Sequence, residues 1–171
     1  PYGASKLAGE GYCSAYFRTF GIETVALRFG NVYGPGSIHK SSVVGKFIRQ
    51  TLNRETLEIY GDGTQTRDFI YVTDLVNAII LAGTKTGVGG ETFQIATHSE
   101  TTLNELVEMM QEAFKAAGKS MPDAIYTDPR LGDVKRNFSD TSKAKQMLGW
   151  QQSTSLPQGL KKTIDWFLAR P

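Results

Sequence analysis

Thiol, imidazole and indole chemistry is scarce in this chain of 171 residues, which has one cysteine, two histidines and two tryptophans. The single cysteine, Cys13, excludes an internal disulfide and fits a reducing, cytoplasmic compartment. It lies among apolar neighbours in a helical pattern, so it is expected to fill core space rather than act as a reactive thiol. His39 and His98 stand alone, with no cysteine or acidic residue at ligand spacing, so no metal site is expected. No apolar run approaches the roughly 18 residues of a membrane span. No signal-peptide pattern opens the chain either. An excess of one charge is also missing: 19 basic and 17 acidic residues leave a formal net charge of +2. The basic residues are spread along the sequence, whereas a nucleic-acid footprint needs them clustered. Neither nucleic acid nor membrane is therefore an expected partner. The sequence lacks an initiator methionine and begins at Pro1 in a helical pattern, which reads as a cut rather than a natural start.

What is present fits one soluble domain with a sizeable core, at 40% apolar and 21% charged residues. Residues 2–19 carry Leu7, Ala8, Tyr12, Ala15 and Tyr16 at helical spacing, and Gly21 follows as a stop. The run "TVALRF" (24–29) reads as a strand buried on both faces of a parallel sheet. "GNVYGPG" (30–36) reads as loop. Ser41 or Ser42 is expected to cap a helix to about Leu52, with Val43, Val44, Phe47, Ile48 and Leu52 inward. "LEIYG" (57–61) predicts a strand, "DGTQTRDF" a polar loop, and Thr73 or Asp74 the start of a helix carrying Leu75, Val76, Ile79 and Ile80. "ETFQIAT" (91–97) and "AIYTD" (124–128) predict further strands. Thr102 and Glu105 form a capping-box pattern before the stripe Leu103, Leu106, Val107, Met110 and Phe114. A short capped helix should end at Gly149, and Pro157 should open the last one. Alternating strands and helices make the class α/β.

Tyr2 and Lys6 are four residues apart and so share one face of the first helix. A free phenol titrates at about 10 and is a poor base at neutral pH. A nearby ammonium favours the phenolate, so the pair could take a proton from a hydroxyl. On spacing alone it could equally be an ordinary exposed pair.

The surrounding residues decide the reading. "PYGASKLAGE" places Pro1, Tyr2, Ser5, Lys6 and Glu10 as in the active-site helix of the extended short-chain dehydrogenases/reductases, in their nucleotide-sugar epimerase/dehydratase branch. "LRFGNVYGPG" (27–36), "YGDGTQTRDFIYVTDLVNAI" (60–79) and "RLGDVKRNFSDTSKAKQMLGW" (130–150) resemble three later segments of that family, in the same order. The resemblance implies an NAD-dependent epimerase resembling UDP-hexose or UDP-hexuronate 4-epimerases, which pass through a 4-keto sugar. Dehydratases and UDP-glucuronate decarboxylases share the first step, and "SSVVGKFI" (41–48) resembles both epimerases and decarboxylases. It makes Tyr2 the catalytic base and Lys6 its partner, which also holds the nicotinamide ribose. Phe29 would line the nicotinamide pocket, and Val32 and Tyr33 lie near it in the family but could be only core. Asn31 would contact the substrate diphosphate, with a turn-forming role as the competing reading. Arg67 and Arg130 would grip that diphosphate, since guanidinium forks suit phosphate oxygens; a surface salt bridge is the competing reading for each. Asp133 would contact the nucleotide ribose. Asp62 and Asp68 flank Arg67 and are expected to shape its loop rather than form an acid/base pair.

Family members carry a glycine-rich strand–turn–helix that receives the cofactor pyrophosphate. No such motif occurs in this sequence; "GVGG" (87–90) has the wrong spacing and reads as a turn. The chain thus resembles the C-terminal half of a member. Residues 1–36 would be a remnant of the dinucleotide-binding domain, and residues 37–171 mainly the nucleotide-sugar-binding domain. Tight NAD retention and turnover by this chain alone are not expected, and the competing reading is a non-catalytic, truncated module that binds a nucleotide sugar weakly or self-associates. The first helix and strand should expose apolar surface, and a homodimer through helix 2–19 is an expected consequence.

Overall fold

The structure, a computed structural model, describes residues 1–39 and 42–169. The chain begins with helix α1 (Tyr2–Phe20), followed by strands β1 (Ala26–Phe29) and β2 (Asn31–Tyr33). Then come α2 (Val43–Asn53), β3 (Leu57–Tyr60), β4 (Thr66–Arg67), β5 (Phe69–Tyr71) and α3 (Val72–Thr84). The rest is β6 (Thr92–Ile95), β7 (Thr101–Thr102), α4 (Leu103–Ala116), β8 (Ala124–Thr127), a π-helical turn (Ala144–Leu148) and α5 (Leu156–Leu168). Gly21 stops α1 in the left-handed conformation at φ 68°, where a side chain would be strained. α4 starts with the full capping box: Thr102 Oγ1 accepts from Glu105 N, and the Glu105 carboxylate accepts from Thr102 N. Ser155 and Gln158 form a second box ahead of α5, with Pro157 in its first turn.

The strands pair as β1–β6, β2–β5 and β3–β8, all parallel, and β4–β7, antiparallel. The expected loop "GNVYGPG" is half wrong. Asn31–Tyr33 form a strand in register with Phe69–Tyr71, which takes the last residue of the expected loop "DGTQTRDF" and the two residues after it. Both strands are three residues long, too short for alternation to show. α3 begins at Val72, with Tyr71 rather than Thr73 or Asp74 at its cap position. Ser42 sits at the cap position of α2, but its hydroxyl makes no cap bond; Ser41 lies outside the described residues. Leu52, expected inward, is exposed.

Two buried clusters fill the interior. One gathers α2, β3, α4 and α5 around Phe47, Phe114, Leu160 and Tyr33. The other gathers β1, β6, α3 and the π-helical turn around Phe93, Ile95, Leu148 and Trp150. Asp74, 2% exposed, ties α3 to the segment before α5. Its carboxylate accepts from Ser153 Oγ at 2.6 Å and Thr154 N at 3.0 Å, and its carbonyl from Trp150 Nε1 at 2.9 Å. None of the 19 residues of α1 is buried, and Cys13, expected in the core, is only half-buried. Tyr2, Leu7, Tyr12, Tyr16 and Phe20 are exposed along that helix, as are Phe29 on β1 and Val76, Ile79 and Ile80 on α3. α3 packs instead through Leu75, Ala78 and Ala82. Among the described residues no helix is long and apolar enough to cross a membrane.

Gly159 on α5 faces Tyr33: a Cβ there would lie 2.1 Å from the phenol oxygen and 2.8 Å from Cζ. Tyr33 is 2% exposed and hemmed in edge-on by Phe69 and Tyr71, so the ring has no room to retreat. Gly159→Ala is therefore expected to destabilise the fold by about 1–3 kcal/mol, although alanine is the better helix former. An unchanged midpoint in a thermal scan would contradict this packing.

Candidate functional site

One cleft of about 1090 Å³ is lined by all seven residues singled out in the sequence: Tyr2, Lys6, Phe29, Asn31, Arg67, Arg130 and Asp133. They come from α1, the β1–β2 segment, β4 and the irregular strap between β8 and the π-helical turn. Parallel pairing of β2 with β5 sets Asn31 beside Phe69, two residues from Arg67. Asn31 is therefore a strand residue, not the turn former of the competing reading.

At one end of the cleft α1 presents Tyr2 and Lys6 on one face, with Lys6 Nζ 5.2 Å from the Tyr2 ring centroid. Both are exposed. A bidentate ion pair holds this helix to β1: Arg28 Nε and Nη2 donate to the Glu10 carboxylate at 2.6 and 2.5 Å. The Arg28 hydrogen bonds hold the Glu10 carboxyl below its ordinary value. The tie is thus present above the ordinary carboxylate range and is lost as pH falls through the lowered value. Nearer the C-terminus of α1, Thr24 Oγ1 donates to Cys13 O at 2.7 Å. Phe17 lies on Gly89, where a Cβ would sit 2.2 Å from the ring. Tyr33, by contrast, belongs to the core. Burial raises its phenol above the ordinary tyrosine value, and its hydroxyl donates to Leu156 O at 3.3 Å.

The other end is basic. Arg67 Nη1 donates to Thr66 O at 2.7 Å and Val134 O at 2.5 Å, and Nη2 donates to Asp133 Oδ1 at 2.6 Å. The salt bridge of the competing reading therefore exists for Arg67, but its partner is another cleft residue. A guanidinium carries five N–H groups. Nε–H and one Nη2–H of Arg67 have no partner among the described residues, enough for a two-pronged grip on a phosphate. Arg130 is exposed and stacks on Tyr60 with Cζ 3.8 Å from the ring centroid. It forms no ion pair among the described residues. The strap is fastened along β4. Thr66 N donates to Lys135 O at 2.9 Å, and Arg136 binds Glu100 in two-pronged fashion at 2.6 and 2.7 Å. Asp62 shapes the preceding turn by accepting from Thr64 N and Thr64 Oγ1.

Among the cleft residues not singled out in the sequence are Lys46, Glu58 and Tyr60. Tyr60 donates to Glu58 Oε2 at 2.8 Å, and Lys46 Nζ lies 3.8 Å from the same oxygen. The signal was the alternation in "LEIY": Leu57 and Ile59 are buried, so Glu58 and Tyr60 face the other side.

The sequence model of the NAD dependent epimerase/dehydratase family matches residues 1–96. UDP-glucose 4-epimerase from Mycolicibacterium smegmatis is 36% identical over 98% of this chain and 52% of its own length. dTDP-glucose 4,6-dehydratase from Escherichia coli is 33% identical over 98% of this chain and 48% of its own. The crystal structure of UDP-glucose 4-epimerase with UDP-glucose from Thermotoga maritima superposes with a TM-score of 0.90 at 37% identity, covering 99% of this chain and 53% of that one. The chain thus spans about half the length of these relatives and shares their α/β fold, and it belongs to the NAD dependent epimerase/dehydratase family.

Proposed function

We propose that this chain forms the acid–base and nucleotide-sugar-binding part of an NAD-dependent 4-epimerase for a UDP-hexose or UDP-hexuronate. The observation that carries the reading is the convergence of all seven candidate residues on one cleft, with a phenol–ammonium pair at one end and two guanidinium groups at the other. In this reading residues 1–36 belong to the cofactor side and residues 37–171 mainly to the substrate side. Arg67, Arg130 and Asn31 hold the diphosphate, and Asp133 accepts from a ribose hydroxyl. Tyr2, with Lys6 beside it, takes the proton of the sugar 4-hydroxyl on its phenol oxygen and later returns it. The donor set fits NAD: the Lys6 ammonium offers three donors for ribose hydroxyls, and Phe29 offers an apolar face in the same cleft. NAD held there would supply the hydride acceptor and donor for sugar C4. The exposed apolar face of α1 supports self-association through that helix. The Escherichia coli relative favours a second reading, a 4,6-dehydratase sharing the same proton removal. A UDP-glucuronate decarboxylase shares that step as well.

Calorimetric titration of this chain with UDP-glucose, UDP and uridine tests the substrate part. Binding of UDP at least about 10-fold tighter than uridine is expected from two charge-assisted grips on phosphate. Equal affinity for UDP and uridine would remove the support for a diphosphate site. NAD should not stay on the chain through purification, and stoichiometric bound NAD would overturn that part of the reading.

A further inference from the structure

Asp68 is wholly buried, at 0% exposure, yet pairs with no cation among the described residues. Four donors meet its carboxylate instead. Oδ1 accepts from Thr97 N and Thr97 Oγ1, both at 2.7 Å; Oδ2 accepts from His98 N at 3.1 Å and Ser139 N at 3.3 Å. Its backbone carbonyl accepts from Asn31 N at 2.6 Å. Gly30 packs on that same carbonyl, and a Cβ there would lie 2.8 Å from it. His98 holds a left-handed backbone at φ 58°, which aims its N–H at Asp68 while its Nδ1 lies 2.9 Å from Ser139 O. One side chain therefore joins the turn after β6 to the far end of the strap, and its main chain fixes the start of β2. The near end of that strap, Asp133 and Val134, is bonded to Arg67, the residue immediately before Asp68.

We propose that Asp68 is a positioning residue for the diphosphate site, setting Asn31, Arg67 and the strap in mutual register without touching the ligand. The proposal rests on the reading that the cleft takes a nucleoside diphosphate sugar. The physical reason is the asymmetry of buried hydrogen bonding. A carboxylate that meets four donors is satisfied, whereas any neutral replacement leaves donors facing nothing or facing another donor. The segments these donors belong to then lose their common anchor, and the guanidinium they frame loses its aim.

The test uses Asp68→Asn, which keeps the volume but turns one acceptor into a donor. The discriminating quantity is the ratio of UDP to uridine affinity, because uridine lacks the phosphates that Asn31 and Arg67 would grip. Asp68→Asn is expected to lower that ratio about tenfold, with uridine affinity within about twofold, and to speed amide exchange at residues 134–139. A lowered thermal midpoint with an unchanged ratio would reduce Asp68 to a stability clamp and overturn the proposal. If Asp68→Asn does not fold, Thr97→Val removes one of the four bonds and is expected to lower the ratio about threefold; an unchanged ratio again overturns it. Arg67→Ala separates the two levels of argument. If it abolishes the preference for UDP while the Asp68 and Thr97 variants keep it, only the positioning role fails. If the unaltered chain shows no preference, the site reading fails and the positioning role falls with it.

Discussion

Tyr2→Phe is expected to cut turnover by about 10²–10⁴-fold with little change in KM for the nucleotide sugar, measured in a protein that carries this chain together with a cofactor-binding half. The substitution removes one oxygen from an exposed ring, so neither packing nor the phosphate grips are disturbed. What disappears is the group proposed to accept and return the 4-hydroxyl proton. Turnover within about threefold of the original would show that Tyr2 is not the base.

Arg67→Ala is expected to weaken UDP binding by about 100-fold. Two losses combine in this variant. The ligand loses a two-pronged grip, and the strap loses the bonds from Arg67 to Val134 O and Asp133. Arg67→Lys sorts them, because an ammonium keeps the charge but not the fork. The lysine variant should recover part of the affinity, while amide exchange in the strap stays fast. Salt gives an independent check: UDP affinity of the unaltered chain should fall as ionic strength rises, and the alanine variant should show a shallower slope. An alanine variant that binds UDP as well as the parent would move the diphosphate away from Arg67.

Helices with strong local signals were legible in the sequence. Thr102 and Glu105 announce α4, and the stripe Leu106, Val107, Met110 and Phe114 is buried as the periodicity demands. The short strands β2 and β5 were not legible. Their pairing joins Asn31 to Phe69, so the stabilising contact is remote in sequence and leaves no local pattern. α3 shows the opposite failure. Val76, Ile79 and Ile80 face outward, while Leu75, Ala78 and Ala82 pack inward. Apolar periodicity marks a face that prefers cover; it does not say which neighbour provides it. For the site, the resemblance named residues that the fold gathers into one cleft. Lys46, Glu58 and Tyr60 escaped because the family segments quoted gave them no role. Asp68 was recognised only as a loop-shaping residue, since the donors that meet it arrive from Thr97, His98 and Ser139, far along the chain.

The attachment of α1 has a mechanical consequence. Among the described residues its fastenings lie at Glu10, Cys13 and Phe17, so the turn bearing Tyr2 sits on an arm that reaches past them. Eight residues separate Tyr2 from Glu10, an arm of about 12 Å at 1.5 Å rise per residue. A tilt of about 5° about the Glu10–Arg28 fulcrum would carry the phenol roughly 1 Å, on the scale where misplacement of a reacting group costs about 100-fold in rate. A surface that clasps that arm would act as a brake on it, making proton transfer as sensitive to what leans on the outside of α1 as to what fills the cleft.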